Sequence, residues 1–203
     1  MPAISSAAER PVNVEVNKNT IRILTDLPDL TIFYDVAESP SRGSLTGDDG
    51  GQPGLLFQFK EGELRLTSTA SVKGGVVDIK TKWDTDKNPP GRWEQVLKIP
   101  QELSDDLLIE VDGEPAFSSA HPDIVKKDRQ LWFDLIDATI SFKKESTGKT
   151  LFKVKCSFPN VVFHFRPDQP DFGILTRFRS NRDCFGNLLD MPESNWKIVF
   201  TGF

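Results

Sequence analysis

The amino-acid sequence predicts an all-β protein, most simply an antiparallel sandwich of jelly-roll type, with a closed β-barrel as the alternative. Three observations lead there. Short runs in which apolar and polar residues alternate recur along the whole chain. Gly, Pro, Asn and Asp separate these runs, as reversals between strands require. No apolar pattern of helical period is sustained over several turns.

The clearest run spans residues 138–166. Phe152, Val154, Cys156 and Phe158 point one way, and Lys153, Lys155 and Ser157 the other. With flanking arms at 138–145 and 161–166, and turns at Thr147-Gly148 and Pro159-Asn160, it reads as a three-stranded meander with one apolar and one mostly basic face.

In chain order, residues 1–11 read as a loose tail and 12–203 as a single domain. Val12, Val14 and Val16 alternate with Asn13, Glu15 and Asn17 to give a first strand. A turn over 17–20 leads to a strand at 21–25. Leu27-Pro28-Asp29 interrupts, and 30–35 resumes. Residues 37–54 are rich in Ser, Gly, Pro and Asp and read as a long flexible loop. Strands at 55–59 and 63–67 flank Glu61-Gly62, a tight hairpin signal. Gly74-Gly75 opens a strand at 76–83, where Val77, Ile79, Thr81 and Trp83 share one face and Asp78, Lys80 and Lys82 the other. A strand follows at 92–99, stopped by Pro100, and another at 107–112, closed by Asp112-Gly113.

Residues 118–137 admit two readings. Ile124, Val125, Leu131, Trp132, Leu135 and Ile136 fall near helical spacing. Alternatively, a helical turn at 122–129 precedes a strand in which Leu131, Phe133 and Leu135 alternate. The β-rich surroundings favour the second. Strands at 173–178 and 196–200 complete the series, with 180–195 irregular.

Composition narrows function by exclusion. The 203 residues carry a net charge of −5, with an isoelectric point near 5.1. A general binder of DNA, RNA or anionic membrane needs a basic footprint instead, so nucleic acid and membrane are not the expected partners. Phe outnumbers Tyr by 15 to 1, which places most rings in a core rather than in a binding face. Residues 1–11 hold neither a basic nor an apolar leader segment, and no run reaches membrane-spanning length. A soluble, cytoplasmic protein is therefore expected. Cys156 and Cys184 are too few for a disulfide scaffold, and Cys156 reads as a small buried apolar residue.

Several residue sets carry chemistry worth following. Trp83 and Trp93 bracket the loop 84–92 and would lie nearly opposite one another if their strands paired. With Asp84, Asp86 and Arg92 they would form a platform for a sugar or a proline-rich peptide. The plain structural alternative is a cross-strand Trp pair. Asp84, Asp86 and Asn88 repeat the spacing of a calcium loop. Pro89 and Gln95, however, stand where an EF-hand requires Gly and Glu. Calcium is thus the sole cofactor entertained, and no resident metal is expected. Arg177, Arg179 and Arg182 interleave with Phe178 and Phe185, a pattern that suits an anion or an acidic partner. Asp48 and Asp49 lie among glycines in the long loop. His121 and His164, with two Cys at no short spacing, make no zinc motif. Neither a nucleophile elbow nor a phosphate-binding glycine loop occurs.

These readings converge on non-catalytic recognition of a protein or a glycan, with Trp83, Asp84, Asp86, Arg92 and Trp93 as ligand residues. One rival is a carbohydrate-active enzyme, a glycoside hydrolase or lyase, using groove carboxylates from Glu94, Glu110 and Asp112. Another is an inhibitor or host-interaction protein that presents the 43–54 loop.

Overall fold

A computed structural model describes residues 11–17, 20–37, 54–59, 62–85, 92–120, 130–133, 138–156, 160–165, 174–179 and 193–200. Among them the chain forms fifteen strands and one four-residue helix. The first three strands are β1 (Asn13–Asn17), β2 (Thr20–Leu24) and β3 (Leu30–Ala37). The next four are β4 (Gly54–Phe59), β5 (Gly62–Lys73), β6 (Val76–Thr85) and β7 (Arg92–Ile99). The helix α1 (Gln101–Ser104) precedes β8 (Leu107–Val111), β9 (Glu114–Ser118) and β10 (Gln130–Phe133). The chain continues through β11 (Thr139–Lys144), β12 (Thr150–Cys156) and β13 (Asn160–Phe165). It closes with β14 (Ile174–Arg179) and β15 (Glu193–Val199).

Two open sheets result, with every pairing antiparallel. One has seven strands in the order β1-β2-β3-β7-β14-β13-β10, the other eight in the order β4-β5-β6-β15-β12-β11-β8-β9. Neither closes on itself, so the architecture is the sandwich rather than the barrel, and it is larger than an eight-stranded jelly roll. One core joins the sheets: Ile21, Ile23, Ile32, Leu97 and Ile99 from the first pack with Ile79, Phe142, Phe152, Val154 and Trp196 from the second. Along each strand these positions recur with a period of two, as a two-layer β structure requires. Phe142 and Phe152 stack with centroids 4.4 Å apart, and Phe200 lies 5.7 Å from Phe152. No helix among the described residues is long and apolar enough to cross a membrane, which says nothing about membrane β-barrels.

Several expected elements take a different form. The three-stranded meander is half correct. The β11–β12 hairpin forms, pairing Ile140 with Val154 and Phe142 with Phe152, but β13 joins the other sheet between β10 and β14. The far edge of β12 is filled instead by β15, which sets Ile198 opposite Val154 and Trp196 opposite Cys156. A Pro-Asn turn signals that the chain reverses, not which sheet edge receives it. Likewise β6 and β7 belong to different sheets, so Trp83 and Trp93 are not cross-strand neighbours: Trp83 is in register with Leu66, Trp93 with Val36.

β5 continues well past Thr67 to Lys73, pairing with β6 around Gly74 (φ 54°) and Gly75 (φ 70°). Two successive left-handed residues are what a two-residue type I′ hairpin demands, and glycine meets that demand without strain. At the other end of β5, Phe59 pairs with Gly62, so the connection is residues 60–61 rather than Glu61-Gly62. β9 and α1 were not expected; β9 carries Pro115 and is an edge strand, where proline is tolerated. Of the two readings for 118–137, the strand forms at β10, while 121–129 lies outside the described residues. The long loop at 37–54 lies almost wholly outside them too, as does the tail before residue 11.

The outer face of the eight-stranded sheet is polar. Lys80 and Lys82 on β6, Lys155 on β12 and Lys197 on β15 are exposed there, opposite the buried row Val77, Ile79, Val154 and Trp196.

Candidate functional site

The expected ligand residues fall at the crossing from β6 to β7, where the chain passes from one sheet to the other. Trp83 and Asp84 lie near the end of β6, Arg92 and Trp93 begin β7, and Asp86 and Asn88 lie in the connection outside the described residues. Asp84 is in register with Arg65, and Arg92 with Ala37. The structure thus brings these strand ends to one rim of the sandwich rather than onto a single sheet face.

What fixes that rim lies two residues inward on each strand. Gln95 on β7, Thr81 on β6 and Ser68 on β5 are all fully buried. The Gln95 Nε2 donates to Thr81 Oγ1 at 2.5 Å and to Ser68 Oγ at 3.3 Å, and the two hydroxyls hydrogen-bond each other. Gln95 comes from the seven-stranded sheet, and both hydroxyls come from the other. A hydrogen-bonded polar cluster inside a core fixes one sheet against its partner, because any slip would strand buried donors and acceptors. Position 83 follows Thr81 by two residues and position 93 precedes Gln95 by two, so the cluster anchors the bases of both rim segments.

Residue type alone carries little sign of this cluster. Ser68 and Thr81 resemble surface residues by type. Only their place in the apolar series Leu66, Ala70 and Val77, Ile79 marks them as inward-facing.

A second polar knot closes the opposite run of strands β8, β9 and β11. Glu145 accepts hydrogen bonds from the Ser118 hydroxyl, from Ser119 Oγ at 2.7 Å and from the Ala120 amide at 2.9 Å. Partial burial opposes its charge, but these donors from Ser118, Ser119 and Ala120 prevail and hold its pKa below the usual glutamate value. Asp106 accepts from Ser146 Oγ at 2.7 Å and Ser146 N at 2.8 Å; these bonds, with Lys144 nearby, lower its pKa too. Each of these carboxylates accepts hydrogen bonds through both oxygens and ties one loop to another.

The carboxylates proposed for catalysis do not form a pair. Glu94 lies on β7 of the seven-stranded sheet, in register with Asp35 and Arg179. Glu110 lies on β8 of the other sheet, and its Oε2 is 2.6 Å from Lys143 Nζ. Asp112 does not share a strand face with Glu110, contrary to the sequence reading: β8 ends at Val111, and Asp112 is a turn residue with φ 50°. Its Oδ1 accepts from the Thr139 amide at 2.9 Å.

Arg177 and Arg179 lie on β14, in register with Val96 and Glu94, while Arg182 lies outside the described residues. His164 is on β13, in register with Gln130 and Leu175. Cys184, His121, Asp48 and Asp49 lie outside the described residues, so the pairing of Cys156 is untouched by the structure. Among the described residues, no three or more of His, Cys, Asp and Glu come together as a group that could hold a metal ion.

Comparison with protein families and with curated proteins found no match. Among solved structures, the chain is similar to a galactose mutarotase related enzyme from Lactobacillus acidophilus. The TM-score is 0.50 at 8 % sequence identity, over 95 % of this chain and 98 % of that one. At that identity the likeness concerns the fold alone.

Proposed function

We propose that this protein recognises a carbohydrate, without chemically altering it, at the rim where β6 crosses to β7. The observation that supports the reading is the Gln95–Thr81–Ser68 cluster, which hydrogen-bonds β7 to β6 two residues inward of Trp93 and Trp83. Recognition loops of β-sandwiches sit at such ends, positioned by the scaffold beneath them. Indole faces stack on the apolar side of a sugar ring, and Asp and Arg side chains bond its hydroxyls. The solved structure similar to this chain is described as a galactose mutarotase related enzyme, which favours a sugar over a peptide as ligand. A protein partner remains the second form of the same reading.

The enzyme alternative draws on that same likeness. It is the weaker reading because Glu110 is engaged with Lys143 and Asp112 with the Thr139 amide, while Glu94 belongs to the opposite sheet.

Two measurements separate the readings. Titration calorimetry against a glycan panel should give binding that Trp83→Ala and Trp93→Ala each weaken at least tenfold, with circular dichroism spectra unchanged. Polarimetry of freshly dissolved α-galactose should show no acceleration over buffer. Binding indifferent to both Trp variants would overturn the rim site, and acceleration of the anomeric change would overturn the non-catalytic reading.

A further inference from the structure

We infer that the outer face of the seven-stranded sheet holds a second ligand site, in which Arg177 on β14, His164 on β13 and Trp132 on β10 take a monosaccharide-sized ring carrying a carboxylate or phosphate group. The inference does not rest on the rim reading. Register assembles the face. Leu97 and Ile99 on β7 belong to the core between the sheets, so Val96 and Lys98 lie on the opposite face. Arg177 is in register with Val96 on one side and Val162 on the other, and Val162 with Trp132. One row on, Lys98, Leu175, His164 and Gln130 follow one another across the same four strands. The row on the other side is Asp35, Glu94, Arg179 and Asn160.

Two observations set Arg177 apart from a cation on an open sheet surface. The first is its floor. Val96 is fully buried, although it lies on the face turned away from the core and is not part of the core cluster. Phe33, directly opposite it on β3, and Lys98 are half-buried. A valine on a flat, solvent-facing sheet would keep exposed surface, so the face is built up around position 96. The second is its neighbours. Arg22, on the same face, stands opposite Glu15 and is bonded to it at 2.9 Å. Arg179 stands opposite Glu94, with Asp35 in the same row. Arg177 stands between Val96 and Val162, so register sets no acid directly opposite it. A guanidinium placed among apolar neighbours, where water competes less, is worth more to an oxyanion than one in solvent.

The remaining positions select the ligand. Trp132 and Arg177 are two strands apart in one row, about 10 Å, a distance that a six-membered ring with one charged substituent spans. An indole stacks on the apolar side of a sugar ring, and the guanidinium fork matches two oxygens of a carboxylate or phosphate. His164 and Gln130 in the next row, and Asn160 in the other, supply donors and acceptors for ring hydroxyls. A nucleic acid or an anionic membrane needs a broad run of cations, and Asp35 and Glu94 interrupt any such run here. A small ligand meets only the rows it covers.

The test is titration calorimetry of the full chain with galacturonate and with galactose 6-phosphate, and with galactose as the neutral control. At least one of the two acids should bind at least tenfold more tightly than galactose, and the one that does names the charged group. Arg177→Gln should weaken that binding at least tenfold, and Trp132→Ala should weaken it too, each with an unchanged thermal midpoint. Arg177→Lys keeps the charge but loses the fork, so it should fall between wild type and Arg177→Gln, and it carries the test if Arg177→Gln does not fold. Arg22→Gln, at a position already engaged by Glu15 and Asp29, should bind as wild type. So should Trp83→Ala and Trp93→Ala, which separates this site from the rim. Three results would overturn the proposal: neither acid binds, galactose binds as tightly as the acids, or a folded Arg177 variant binds as wild type. Loss of binding in Trp83→Ala would overturn it by moving the ligand to the rim. Inorganic phosphate or acetate binding as tightly as the sugar acid would overturn it by showing an ion site with no place for a ring.

Discussion

At the scale of single residues, Glu145 and Asp106 are acids occupied by hydrogen bonds. Glu145 takes three donors from the 118–120 segment, and Asp106 takes two from Ser146. Glu145→Gln keeps the shape of the side chain but replaces one acceptor oxygen by a donor that faces donors. With the site partly open to water, the loss should be about 1 kcal/mol of unfolding free energy at neutral pH. The sign of its pH dependence follows from the lowered pKa. The ionised form is the one stabilised by folding, so its contribution is complete above the ordinary glutamate value of 4.5 and fades as pH falls through the lower folded value. Urea unfolding of wild type and variant should therefore differ at neutral pH and converge in acid. A gap that persists or widens on acidification would mean that Glu145 is held protonated.

At the scale of elements, the β11–β12 hairpin shows what local sequence carries and what it does not. Its alternation was plain: Phe152 and Val154 inward, Lys153 and Lys155 outward, with Gly148 in the left-handed region at φ 67° in its turn. Strand identity and face were thus legible from side-chain type alone. The neighbour of β12 was not, because β13 and β15 both follow it in the chain and both carry large apolar residues at alternating positions. The choice rests on burial of Trp196 and Ile198 beside Ile79 and Val77, contacts between residues far apart in sequence. The rim residues were legible as a loop-flanking group, but their split between two sheets was not, for the same reason. Phe152 sits where these pairings meet, stacked on Phe142 and close to Phe200. Phe152→Ala should cost about 3–5 kcal/mol, since the surrounding strands cannot collapse into the space left. Denaturant titration measures it, and a cost below 1 kcal/mol would show that the ring is not enclosed.

At the scale of the whole molecule, two open sheets must be held in one alignment, and apolar packing alone leaves that alignment soft. Branched and aromatic side chains tolerate small slides if volume is conserved. The Gln95 bridge to Thr81 and Ser68 does not, because its amide donor and the two hydroxyl acceptors are directional and belong to fully buried residues. Gln95→Leu removes the bridge while Ser68 and Thr81 still bond each other, so it should cost about 1–2 kcal/mol. Replacing all three as Gln95→Leu/Ser68→Ala/Thr81→Val leaves no buried polar group to satisfy, and most of that stability should return. The two variants part company in function. If the bridge sets the alignment of β6 against β7, the triple variant regains stability but still binds sugar at the rim more weakly than wild type. Recovery of both stability and affinity would mean that apolar packing aligns the sheets by itself.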